Sequence, residues 1–94
     1  MSYQIFLSRT ADKQLAKLRR QQPKNAFAID TALGKLVDDP HPDGVKNLKG
    51  KKYSDIWRVR VGDFRICYTI EDNKLIIAVI AIADRKEIYK LLGK

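Results

Sequence analysis

Apolar positions in this chain fall first at strand spacing, then at helical spacing, then at strand spacing again. Tyr3, Ile5 and Leu7 alternate with polar or exposed positions, Phe6 apart, which predicts a strand over Tyr3–Ser8. Ala11, Leu15 and Leu18 then recur at i, i+4, i+7, one apolar stripe of a helix that Ser8 or Thr10 can cap. Lys13, Lys17, Arg19 and Arg20 take its remaining surface, and Gln21-Gln22-Pro23 breaks it. Pro23 suits the first turn of a second helix, whose apolar positions are Ala26, Ile29, Leu33, Leu36 and Val37. The run from Asp38 to Gly44 is turn chemistry.

After a basic, Gly-containing stretch from Val45 to Tyr53 come three predicted strands, about Ile56–Val61, Phe64–Glu71 and Leu75–Ala83. The last is apolar throughout, as expected of the central strand, buried on both faces. Asp84 to Leu92 reads as a short helical or irregular tail. The expected fold is α+β: two N-terminal helices on one face of a twisted, mainly antiparallel four-stranded sheet, order β-α-α-β-β-β plus the tail. Ninety-four residues make one domain, 1–94.

The tightest local signal is Ile56-Trp57-Arg58-Val59-Arg60-Val61-Gly62-Asp63-Phe64-Arg65-Ile66-Cys67-Tyr68. Gly62-Asp63 fits a type II′ hairpin turn, with Gly at the first central position. Folded there, Val61 faces Phe64 and Arg60 faces Arg65. Arg58, Arg60 and Arg65 then share one face, and Trp57, Val59, Val61, Phe64, Ile66 and Tyr68 the other. Like charges directly opposite destabilise a sheet, so the arginine face has the character of a polyanion site.

Charge sharpens this. The chain holds 19 Lys+Arg against 11 Asp+Glu, formal net charge +8, which favours nucleic acid, an anionic surface or an acidic protein partner. Lys46 to Arg65 alone carries four Lys and three Arg against Asp55 and Asp63. The single Cys67 excludes an internal disulfide and reads as a buried small hydrophobe. No secretory leader is visible, and the longest apolar run, Leu75 to Ala83, is far shorter than the roughly 20 residues of a membrane span. A soluble cytoplasmic protein is expected.

Metal and triad chemistry find no support. His41 lies between two prolines and reads as a solvated loop residue. One His and one Cys, far apart, with no spaced carboxylate set, make no metal site. Leu48-Lys49-Gly50-Lys51 lacks the glycine spacing of a phosphate loop. What remains is Arg and Lys with aromatics. Guanidinium groups fork onto phosphate oxygens and can stabilise a phosphorane-like transition state. Metal-free RNA cleavage needs little more than a 2′-hydroxyl attacking the adjacent phosphate, one group to take its proton and one to protonate the leaving oxygen. Arginine is a poor base, so the nearby candidates for changing protonation state are Lys49, Lys51, Lys52 and Tyr89, each of which needs a large pKa shift to do so.

Asn47-Leu48-Lys49-Gly50, the stretch Trp57 to Tyr68, and Val79-Ile80-Ala81-Ile82-Ala83-Asp84-Arg85-Lys86-Glu87-Ile88-Tyr89 resemble the RelE/ParE superfamily of bacterial and archaeal toxins. The Arg-Lys-Glu-Ile-Tyr ending is similar to the RelE branch. That resemblance implies the toxin of a type II toxin–antitoxin system: a ribosome-dependent endoribonuclease that cuts mRNA in the ribosomal A site without metal or cofactor, inhibits translation, and is held by a cognate RelB-like antitoxin. By position, Arg65 matches the phosphate-stabilising arginine of the family. Arg85 matches its general acid or leaving-group stabiliser, and Tyr89 the tyrosine that stacks on the nucleotide. Arg58 and Arg60 stand where the best-known members carry lysine, the second being the favoured general base. Lys49 matches a basic residue that contacts RNA or rRNA.

The expected catalytic set is therefore Arg60, Arg65, Arg85 and Tyr89, and the expected RNA-binding set Lys46, Lys49, Lys51, Lys52 and Arg58. Arginine at position 60 leaves the proton acceptor open: Arg60 orients and stabilises while a nearby lysine or water takes the proton, or cleavage is slow. The alternatives are a ParE-like DNA gyrase inhibitor without nuclease activity and a non-catalytic RNA-binding module.

Overall fold

The computed structural model describes residues 2–40, 46–48 and 56–92. Its elements are β1 (Gln4–Leu7), α1 (Arg9–Gln21), α2 (Pro23–Asp38), β2 (Lys46–Leu48), β3 (Ile56–Val61), β4 (Phe64–Glu71), β5 (Ile76–Asp84) and α3 (Arg85–Leu92). The sheet order is β1-β5-β4-β3-β2, with β1 parallel to β5 and every other pair antiparallel. Among the described residues no helix is long and apolar enough to cross a membrane.

The α+β class and the order of the expected elements are as read, with one addition and one correction. Lys46–Leu48, within the basic, Gly-containing stretch to which the pattern assigns no element, forms a fifth, edge strand against β3. Three residues bounded by glycine- and lysine-rich sequence carry too little alternation to be legible. That strand also moves the centre of the sheet to β4. The apolar β5 is interior but lies between β1 and β4 rather than in the middle.

Local chemistry explains the helices. Ser8, not Thr10, caps α1: its Oγ accepts the Ala11 N–H at 3.0 Å and donates to the Ile80 carbonyl at 2.7 Å. Gln22 closes α1 through its N–H to the Leu18 carbonyl, and Pro23 opens α2 where no helical N–H is needed. Ala11, Leu15, Leu18, Ala26, Ile29, Leu33 and Leu36 pack on Ile66, Tyr68, Ile77, Val79 and Ile82 of the sheet. The apolar hairpin face lies in this core, as its alternation predicts, with Trp57 registered on Tyr68. Tyr68, fully buried, donates its hydroxyl to the Pro40 carbonyl at 2.7 Å.

An irregularity in β5 governs the opposite face. Cys67 pairs with Ala81 while Tyr68 pairs with Val79, leaving Ile80 as an extra residue. Such a bulge reverses the alternation of everything beyond it. Ile77 and Val79 point to the helices before the bulge, and Ile82 does so after it. Ala81 and Ala83 are thereby turned onto the arginine face. The interrupted ladder is satisfied by α1: Ser8 serves the Ile80 carbonyl, and Gln14 Oε1 accepts the Ile82 N–H at 2.6 Å. The chain then enters α3, whose Ile88 docks on Ile56, Cys67, Ala81 and Ala83 as a second small core.

Candidate active site

The hairpin forms in the predicted register: Arg60 opposite Arg65, Val61 opposite Phe64, Arg58 opposite Cys67. Gly62 has φ +62° and Asp63 keeps a negative φ, the signature of a type II′ turn. Arg58, Arg60 and Arg65 therefore share a face. Arg58 is half-buried and Arg60 exposed, whereas Arg65 retains only 7% of its exposure.

Arg65 can be buried because its neighbour across the sheet is Ala83. A larger side chain there would fill the space its guanidinium occupies. Its Nη1 donates to the Phe64 carbonyl at 3.2 Å, and its Nε is buried with no partner. Burial, then Arg60 and Arg58, then Arg85, hold its pKa below the ordinary arginine value, with Tyr89 opposing them. Among the described residues no carboxylate lies within ion-pair distance of it; the ion pairs are Arg19–Asp30, Lys74–Glu71 and Lys90–Glu87, all exposed. A buried charge with an unsatisfied donor is costly to the free protein, and an anion in the cleft would offset that charge.

The tail completes the site. Asp84, the last residue of β5, accepts the Glu87 N–H at 2.9 Å and so starts α3. Arg85 and Tyr89 are four apart, on one side of that helix, and both act electrostatically on Arg65. Arg60, Asp63, Arg65, Asp84, Arg85 and Lys86 line one open cleft of about 410 Å³. Arg60, Arg65 and Arg85 thus border one space.

Four of the expected catalytic positions are thus gathered: Arg60, Arg65 and Arg85 line the cleft, and Tyr89, 42% exposed, stands beside Arg65. Arg58 flanks the same guanidinium, and Lys46 is registered against Arg58 in the next strand. Lys49, Lys51 and Lys52 lie outside the described residues. The sequence reading did not pick out Asp63, Asp84 or Lys86, although their places beside the turn and Arg85 could have suggested them. Cys67 is fully buried behind the site, and its thiol is pushed up to about 11 by burial, which Arg58 and Arg65 oppose.

The family description of a ParE toxin of type II toxin–antitoxin systems matches residues 5–89. The chain belongs to that family. Within the wider RelE/ParE superfamily, its relatives include a RelE-like toxin protein of Escherichia coli, 34% identical, with all of this chain and 97% of that protein covered. The toxin RelE of Mycobacterium tuberculosis is 28% identical over 95% of this chain and 88% of its own length. The same fold occurs in the toxin–antitoxin complex RelBE2 of Mycobacterium tuberculosis, at TM-score 0.74 and 24% identity over 90% of this chain and 100% of that one. This RelE/ParE toxin thus shares sequence with RelE-type toxins along nearly its whole length.

Proposed function

We propose that this toxin is a metal-independent endoribonuclease that cuts mRNA in the ribosomal A site, restrained by a RelB-like antitoxin. The observation that carries the reading is Arg65: a buried guanidinium with no carboxylate partner among the described residues and an unsatisfied Nε, in a cleft also lined by Arg60 and Arg85. Arg65 and Arg85 would hold the non-bridging phosphate oxygens and stabilise the charge that grows on them as the 2′-oxygen attacks. Arg60 would orient the phosphate, and Tyr89 would stack on a base. Arg58, with Lys46, Lys49, Lys51 and Lys52, would follow the RNA backbone. The relatives bear RelE names, and complexes with antitoxins are known for the same fold, which supports both the activity and the partner. A carboxylate-bearing antitoxin segment over the basic face would block the cleft.

The matching family description is that of ParE, so gyrase poisoning is the second reading. Growth and DNA-damage reporters separate the two. The nuclease reading expects Arg65→Ala and Arg85→Ala each to abolish growth arrest, with no DNA-damage response from the wild type. Arrest that survives both substitutions and comes with DNA damage would establish the gyrase reading instead.

A further inference from the structure

Arginine cannot exchange a proton near neutral pH, so three guanidinium groups cannot move the protons of the reaction proposed above. The remaining ionisable groups lining the cleft are Asp63, Asp84 and Lys86. Asp84 is engaged, its Oδ1 accepting the Glu87 N–H at the start of α3. Asp63 stands at the second central position of the hairpin turn and lines a cleft with Arg60, Arg65 and Arg85. It makes no hydrogen bond or ion pair among the described residues. Lys86 comes from a different element, the first turn of α3, and likewise has no carboxylate within ion-pair distance among the described residues.

We propose that Asp63 and Lys86 are the proton-transfer pair of the cleft, an inference that rests on the nuclease reading. The Asp63 carboxylate, an acceptor only, takes the proton of the 2′-hydroxyl as the 2′-oxygen bonds to phosphorus. The bond from phosphorus to the 5′-oxygen breaks, and that oxygen takes a proton from the Lys86 ammonium. The products are a 2′,3′-cyclic phosphate and a 5′-hydroxyl. Solvent then returns the proton from Asp63 to Lys86. Attack and departure lie on opposite sides of phosphorus in an in-line displacement, which suits an acceptor and a donor from two different elements. The charged groups facing the pair are Arg60 from β3, Arg65 from β4, Asp84 from β5 and Arg85 from α3, with Arg58 and Tyr89 beside Arg65. A phosphate would take the guanidinium groups and leave the carboxylate to the sugar, which also makes Asp63 the group that reads ribose rather than deoxyribose.

The sign of one substitution isolates this role. Asp63→Asn removes a negative charge from a cationic cleft, so RNA should bind at least as tightly. Without a proton acceptor it should cut about 100-fold more slowly or worse. Single-turnover cleavage of a synthetic mRNA on purified ribosomes measures both. Lys86→Ala should also cut slowly, and should recover on an mRNA whose scissile 5′-oxygen is replaced by sulfur, which leaves without a proton. Asp63→Asn should not recover. Both residues are exposed, and unchanged thermal unfolding of each variant verifies the fold. Asp63→Asn cutting at or above the wild-type rate, or Lys86→Ala impaired equally on both substrates, overturns the pair while wild-type cleavage sustains the nuclease reading. A wild-type protein that leaves both mRNAs intact overturns the nuclease reading and the pair with it.

Discussion

Arg65 concentrates the tension between stability and activity in one side chain. Its guanidinium is buried, its Nε lacks a partner, and Arg60 is registered directly against it. Replacing a poorly compensated buried charge with an apolar chain of similar length relieves desolvation and repulsion together. Arg65→Met should therefore raise stability, by about 1 kcal/mol in denaturant unfolding, while abolishing growth arrest. Two buried acids, one on each face of the sheet, contribute to an alkaline decline in stability. Burial raises Cys67 from 9.0 to about 11, and burial with the Asp39 charge raises Tyr68 from 10.0 to about 12. The unfolded chain releases these protons first, so their contribution to stability is complete below about pH 9 and is lost as pH rises from 9 toward 12. Tyr68→Phe should lose the hydrogen bond to Pro40, costing about 1 kcal/mol at neutral pH, and flatten the upper part of that decline in urea titrations.

At the scale of elements, the bulge at Ile80 and the helix after it build the cleft. The bulge turns Ala81 and Ala83 toward the arginines, where their small side chains leave room for Arg65 and for Ile88 of α3. Ile88 is fully buried and anchors the helix that carries Arg85, Lys86 and Tyr89. Ile88→Ala should cost about 2–4 kcal/mol and loosen α3, seen as faster amide exchange there than in β4. The hairpin was legible in the sequence because Gly62-Asp63 sets the register, and register sets which arginines share a face. The helices were legible because their stripes and Pro23 are local signals. The bulge was not, since an all-apolar β5 has no polar residue to betray a change of face. The short β2 was missed for want of alternation. The convergence of Arg85 on Arg65 depends on where α3 docks, which local pattern does not specify, and that part of the site came from family resemblance.

For the whole molecule, a surplus of +8 with Arg58, Arg60, Arg65 and Arg85 gathered around one cleft makes two kinds of ligand natural: an RNA backbone and an acidic protein chain. On the nuclease reading both would neutralise the same cleft, and an antitoxin segment seated there would exclude RNA. RNA binding should weaken steeply with salt, and removing one phosphate contact such as Arg65 should reduce the slope of log K against log salt by about 0.7. The central claim is that the guanidinium groups of Arg60, Arg65 and Arg85 act on a single phosphodiester. Primer extension on cellular mRNA after induction tests it most directly, comparing the wild type with the folded Arg65→Met and Arg85→Ala variants. The account predicts new 3′ ends within translated codons for the wild type and none for either variant. Intact mRNA in wild-type cells that have stopped growing, or the same cuts from the variants, would contradict it.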